Sequence, residues 1–176
     1  MPTSPHPFPA TASYHAHMRI IGIDPGLNIT GFGIIDVERT GCVHVRHGVF
    51  RTKPADAKLE RLVHLRDSVR AIAQESGAQS AAIEAGFVGQ NMKAAMALGE
   101  ARAAALVGLA DAGLTVIEYA PALVKQTVSG YGRGEKAQIA HMVRLQLGLA
   151  SIPTPEDAAD ALAVAITHWA HLRLPG

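Results

Sequence analysis

The sequence predicts a single α/β domain built on a five-stranded mixed sheet flanked by helices. Two observations carry this prediction. Residues 20–50 contain three short apolar runs, rich in β-branched residues and separated by only a few residues, which is typical of an antiparallel meander. From residue 58 onward, helical patterns alternate with short apolar runs, which is typical of parallel βα units.

The individual elements follow from the spacing of apolar residues. Strands are predicted at residues 20–24, 32–37, 42–50, 81–84 and 114–119. Helices are predicted at residues 58–74, 91–112, 121–127, 135–147 and 156–171. In the third strand, alternation places Val43, Val45 and Val49 on one side.

The alanine-rich helix at residues 91–112 is apolar over most of its circumference. This pattern indicates burial on more than one side, either in the domain core or in a homodimer contact. Charged residues make up only 18% of the chain, which favours the homodimer.

Composition limits the possible functions. The net charge is +1, so nucleic-acid binding would depend on a local basic patch. The only cysteine is Cys42, which excludes an internal disulfide and a cysteine-cluster zinc site. No apolar run is long enough to span a bilayer, and we expect a cytoplasmic protein.

Residues 1–17 contain four prolines and no Lys or Arg. They lack the features of a signal peptide, and we expect a disordered leader followed by one domain at residues 18–176. We expect that translation can start at Met18 and that the leader is dispensable for activity.

Two carboxylates stand at predicted strand ends. Asp24 ends the first strand before Pro-Gly, and Glu84 ends the fourth before Ala-Gly. An antiparallel meander followed by a parallel βα unit would place these strands side by side, with both acids at one edge of the sheet. Each acid has a simpler explanation: Asp24 as a turn residue and Glu84 as a partner of an arginine.

The last predicted helix supplies two more acids. Asp157 and Asp160 are three residues apart and face the same way. A capping box beginning at Thr154, with proline at the first helical position, would explain Asp157. It would not explain Asp160, which interrupts an otherwise apolar helix.

A cluster of these four acids would need a cation, because crowded carboxylates repel one another. Oxygen-only ligands suit Mg²⁺ or Mn²⁺. Two such ions about 4 Å apart can activate a water and stabilise the leaving oxygen of a phosphodiester. The acids therefore indicate phosphodiester hydrolysis.

The glycine-rich stretch SGYGRG, which precedes the fourth predicted helix, contains Arg133 and lies between Lys125 and Lys136. A cation in the first turn of a helix opposes the helix dipole unless it serves a ligand, and the stretch could hold a DNA phosphate. A solvated surface explains the same charges. Phe87, in a predicted loop, is either a core residue or a stacking platform for a base.

Two other features are ambiguous. His168 and His171 are three residues apart on the last helix, where they could face a metal; His168 could also support Asp160, and a structural role suits His171 better. The glycines beside Asp24 are interpreted as clearance for a DNA backbone.

Four blocks together resemble the RuvC family of Holliday-junction resolvases. They are IGIDPGLNITGFGIID, AAIEAGFVGQN, EYAPALVKQTVSGYGRGEKAQIAHMVR and DAADALAVAITH. The resemblance extends from Met18 to about His171. The leader departs from the family pattern, and so does the Ala-Gly that follows Glu84.

The resemblance implies an RNase H-like fold and a homodimer that makes paired, Mg²⁺- or Mn²⁺-dependent nicks in opposed strands of a four-way DNA junction. It implies 5′-phosphate and 3′-hydroxyl ends and work with the RuvA–RuvB branch-migration machinery. Asp24, Glu84, Asp157 and Asp160 match the family's metal-binding catalytic acids. Lys125 and Lys136 match its DNA-contacting lysines, and Phe87 matches its loop aromatic.

Three alternatives remain at this point. The YqgF nucleases, which act on RNA, begin with a similar strand but should lack the VKQ and GEK blocks. An actin-like or sugar-kinase-like ATPase needs a second lobe, for which the chain has no room. A non-catalytic junction-binding module would not need four acids.

Overall fold

The computed structural model describes residues 18–86, 91–130 and 135–172. The strands in these ranges are β1 (Met18–Asp24), β2 (Ile29–Val37), β3 (Cys42–Arg51), β4 (Ser80–Glu84) and β5 (Val116–Tyr119). The helices are α1 (Lys58–Ser76), α2 (Met92–Asp111), α3 (Pro121–Ser129), α4 (Lys136–Gln146) and α5 (Glu156–Leu172). None of these helices is long and apolar enough to cross a membrane.

The strands form one mixed sheet in the order β3-β2-β1-β4-β5. β1, β2 and β3 are antiparallel neighbours, whereas β4 is parallel to both β1 and β5. This arrangement confirms the predicted mixed sheet. Ile23 of β1 pairs with Ile83 of β4. The next residues, Asp24 and Glu84, are the last of their strands and therefore lie side by side at the edge of the sheet where β1 and β4 end.

Helices cover both faces of the sheet. The two-residue repeat of β1 sends Ile21 and Ile23 to the face covered by α1 and α2, and Ile20 to the face covered by α3, α4 and α5. All three isoleucines are fully buried. Because both faces are covered, the strands in the middle of the sheet are almost continuously apolar.

Glycines in β1 and β2 allow α5 to lie directly on the sheet. A Cβ at Gly22 would be 2.3 Å from the carbonyl oxygen of Ala161, and one at Gly31 would be 1.9 Å from that of Asp157. A Cβ at Gly33 would be 2.7 Å from a backbone nitrogen of the same helix. The interpretation of the glycines beside Asp24 as clearance for DNA is therefore wrong for Gly22, which makes room for α5 as Gly31 and Gly33 do.

β3 contains an irregularity that the sequence pattern did not indicate. Its pairing with β2 shifts register between Ile34 and Ile35. Because strand side chains alternate, the shift places Val43 and Val49 on opposite faces of the sheet. The prediction that these two valines share one side with Val45 is wrong.

The contact between Gly31 and α5 generates a prediction about stability. We expect Gly31→Ala to lower the free energy of unfolding by about 1–3 kcal/mol, because the added methyl overlaps the backbone of α5. Urea denaturation measures this change. Gly41→Ala is the matched control, since a Cβ there meets nothing within 4 Å. Equal stability of the two variants would contradict the proposed close packing.

Candidate active site

The ends of β1 and β4 open into a cavity of about 240 Å³. Helices α3, α4 and α5 form its other walls, and its lining combines acids, lysines and a few apolar side chains. The lining residues are Asp24, Glu84, Pro121, Val124, Lys125, Lys136, Ile139, Asp160 and Ala163.

The first turns of α5 carry the other predicted acids to this cavity. Asp160 lines it, and Asp157 lies one turn earlier, where its backbone rests over Gly31. Asp157 is not a lining residue, but its charge acts on Asp24. The structure therefore brings Asp24, Glu84 and Asp160 to one cavity, with Asp157 beside them.

The predicted capping box placed a proline at the first position of α5. The helix instead begins at Glu156, one residue after Pro155.

Burial and mutual repulsion change the protonation of these acids. Burial, together with the charges of Glu84, Asp160 and Asp157, raises the pKa of Asp24 to about 8. Burial and the charge of Asp160 also raise the pKa of Glu84, although its hydrogen bond with Asp24 and two lysines oppose the shift. Asp160 has a raised pKa as well, mainly because it is buried.

The raised pKa of Asp24 has a cost in stability. The folded protein binds this proton more tightly than the unfolded chain, whose carboxyl titrates near 3.8. Stability therefore falls as the pH rises from about 4 to about 8, and the cost is complete above that window. Buried carboxylates with raised pKa values in a cavity mark a candidate functional site.

Lysines partly offset the negative charge. The Nζ atom of Lys136 is 3.7 Å from Oδ2 of Asp160 and 3.3 Å from Oε1 of Glu156. Burial lowers the pKa of Lys136, but these carboxylates and Asp24 raise it by more. The positive charges of Lys125 and Lys136 lower the pKa of Glu84. The sequence had suggested an arginine as the partner of Glu84, whereas these two cations are lysines.

Sequence reasoning missed Glu156. This exposed residue shares Lys136 with Asp160, although it does not line the cavity. Its position could have indicated this role, because Glu156 directly precedes Asp157 in the first turn of α5.

The acids have the chemistry of a divalent-cation site, since they supply only oxygen ligands and excess negative charge. However, the described residues contain no group of three His, Cys, Asp or Glu side chains that is arranged to hold a metal ion. The Asp160 carboxylate forms a salt bridge with Lys136. The donor set fits a hard cation, but its side chains are not preformed as a coordination shell.

His168 has a structural role rather than a metal-facing one. Its Nε2 atom is 2.6 Å from Oγ of Ser80, and its Nδ1 atom is 2.9 Å from the hydroxyl of Tyr119. Both ring nitrogens are therefore engaged, so the hypothesis that His168 faces a metal is wrong. Burial, aided by His171, lowers the pKa of His168 to about 4. These bonds fix α5 to β4 and β5, whereas His171 bonds the backbone oxygen of Thr167 within the helix.

Two predicted DNA contacts, Phe87 and Arg133, lie outside the described residues. Phe87 follows Glu84 by three positions, and Arg133 precedes Lys136 by three. Each is therefore three residues away in sequence from a side chain that lines the cavity.

Comparisons with known proteins identify the family of the chain. The family model described as "Crossover junction endodeoxyribonuclease RuvC" matches residues 20–168. The protein of that name from Chloroflexus aggregans is 48% identical over 153 residues, which cover 86% of this chain and 92% of that protein. The one from Maricaulis maris is 46% identical over 156 residues, which cover 89% and 93%.

Solved structures show the same fold. Thermus thermophilus RuvC in complex with Holliday junction substrate superimposes with a TM-score of 0.83 at 34% identity, covering 89% of this chain and 96% of that one. The yeast mitochondrial Holliday junction resolvase shares the fold at a TM-score of 0.64 and 9% identity, covering 85% and 77%. These structures confirm the RNase H-like fold, and the chain belongs to the RuvC family of crossover junction endodeoxyribonucleases.

Proposed function

We propose that this chain is a structure-selective endodeoxyribonuclease that resolves four-way DNA junctions in recombination and repair. It nicks opposed strands in pairs and leaves 5′-phosphate and 3′-hydroxyl ends. The observation that carries this function is the cavity where Asp24, Glu84 and Asp160 meet Lys125 and Lys136, in a chain of the RuvC family. Acids can hold the cations for phosphodiester hydrolysis, and lysines can hold the phosphates.

The acids Asp24, Glu84, Asp157 and Asp160 would hold the divalent cation that the family uses. We propose Mg²⁺ or Mn²⁺, with two ions in each site. Such ions activate a water and stabilise the leaving oxygen when they are bound. Burial and the neighbouring carboxylates raise the pKa of Asp24 to about 8 in the cation-free protein, so a bound cation would compete with a proton at this cluster.

The remaining residues position the substrate. Lys125 and Lys136 line the cavity and would contact the phosphate beside the bond that breaks. Lys136 would then exchange its bonds to Asp160 and Glu156 for a bond to phosphate. We assign Phe87 to stacking on a base at the junction and Arg133 to a backbone contact, on the basis of their places in the sequence.

We also propose the cellular setting that the family implies: a homodimer in the cytoplasm that works with the RuvA–RuvB complex. The nuclease domain would span residues 18–176, with residues 1–17 as a dispensable leader. Exposed apolar side chains on α2 support the dimer, because Met92 is 76% exposed and Met96 is 61% exposed.

Cleavage of defined substrates tests the proposed activity. With Mg²⁺, we expect purified protein to nick a four-way junction symmetrically and to leave a linear duplex and an RNA hairpin uncut. EDTA should abolish nicking. Asp24→Asn should abolish nicking while junction binding persists, because the variant loses a cation ligand and keeps the DNA surface. Equal cutting of the linear duplex would contradict the proposal, and cutting of the RNA would favour the YqgF-like alternative.

Sedimentation velocity tests the dimer. We expect Met96→Glu to yield monomers, since it places a charge on the exposed face of α2. Leu145→Glu is the matched control, because Leu145 is similarly exposed but lies on α4, against the other face of the sheet. A wild-type monomer at micromolar concentration, or a dimer of Met96→Glu, would refute this interface.

A further inference from the structure

A second pair of cations lies at the same edge of the sheet as the acids. Arg51 is the last residue of β3, and Lys53 follows two residues later. β1 ends at Asp24 and β3 ends at Arg51, and these ends point the same way because β1 and β3 are both antiparallel to β2. Arg51 therefore lies two strands away from Asp24, on the side opposite to β4.

The sheet register also fixes the face on which Arg51 lies. Arg51 pairs with Ile29, which is two residues from Gly31 and so shares its face. That face carries the start of α5, because a Cβ on Gly31 would touch the backbone of Asp157. Arg51 consequently stands on the same face as the acids of α5.

Hydrogen bonds hold this segment against the turn that follows Asp24. The backbone N–H of Thr52, the residue between the two cations, donates to the carbonyl oxygen of Asn28 at 3.0 Å. Arg61 of α1 donates to Oγ1 of Thr52 at 3.0 Å and to Oδ1 of Asn28 at 2.6 Å. The backbone between Arg51 and Lys53 is thus held beside the turn that follows Asp24.

Neither cation has an ion-pair partner among the residues that the structure describes, and both are exposed. Nearby cations differ in this respect: Arg46 pairs with Glu75, and Lys58 pairs with Glu100. A carboxylate that is paired with a cation competes with a phosphate for that cation. Arg51 and Lys53 have no such competitor among the described residues.

Among the described residues that line the cavity, both cations stand on one side of the acids. Lys125 and Lys136 approach from α3 and α4, which pack on the same face as α5. DNA that crosses the acids needs cations beyond them, because the carboxylates repel its phosphates.

We propose that Arg51 and Lys53 form a second phosphate-binding site for the DNA substrate, across the acids from Lys125 and Lys136. The site binds backbone phosphates on the β3 side of the cavity and so holds the strand from both sides of the bond that breaks. This inference rests on the proposed function, and it adds binding residues that the sequence motifs did not indicate.

Junction binding in EDTA, where cutting is blocked, tests the site. We expect Arg51→Ala to reduce the slope of log affinity against log salt by about 1, and Arg51→Ala with Lys53→Ala by about 2. Arg39→Ala is the matched control: it removes the same charge from an exposed position in the β2–β3 turn, at the opposite edge of the sheet. We expect its slope to equal that of the wild type.

Neutral methylphosphonate linkages distinguish direct contact from a general field. Such linkages are placed one at a time around the cut. At the contacted phosphate, we expect a loss of affinity in the wild type and no further loss in the double variant. Additive losses at every position would overturn the proposal, as would equal salt slopes for Arg51→Ala and Arg39→Ala.

The two possible failures are distinguishable. If the wild type neither binds nor cuts junctions, the proposed function itself is wrong. If the wild type does both and the double variant matches it in salt slope, only the second phosphate site is wrong. Thermal unfolding of each variant shows that a loss of binding does not come from unfolding.

Discussion

The close approach of α5 to the sheet is the contact on which the site depends. Three glycines of β1 and β2 let the helix backbone lie where Cβ atoms would otherwise stand, with overlaps as severe as the 1.9 Å at Gly31. Small side chains on α5 complete this contact, and Ala161 and Ala165 are fully buried. The result is that the first turns of α5 carry Asp157 and Asp160 to the edge where β1 and β4 end.

Directional bonds add to this close contact. Glycines permit an approach but do not fix the position of a helix along the sheet, since apolar contacts are not directional. His168 supplies bonds from α5 to Ser80 and Tyr119. Tyr119 is the residue of β5 that pairs with Glu84. The His168 side chain therefore connects the helix that carries Asp157 and Asp160 to the strand that carries Glu84, and to the neighbour of that strand.

Much of this arrangement was predictable from local sequence. Strand periodicity and the order of elements place Asp24 and Glu84 at one edge, because parallel neighbours end together. The shift in β3 was not predictable, since alternation of valines carries no information about pairing register. Nor was the role of the glycines, because a glycine suits a turn, a ligand or a close helix equally well. The contacts that distinguish these roles join residues far apart in the chain.

The fold buries Asp24 and crowds its carboxylate against those of Glu84 and Asp160. The most direct measurement is the carboxyl ¹³C titration of Asp24 by NMR in the cation-free protein. Crowding and burial predict a pKa of about 8, well above the ordinary value near 3.8. They also predict that a divalent cation lowers it. An Asp24 that titrates near 3.8 without a cation would contradict the account.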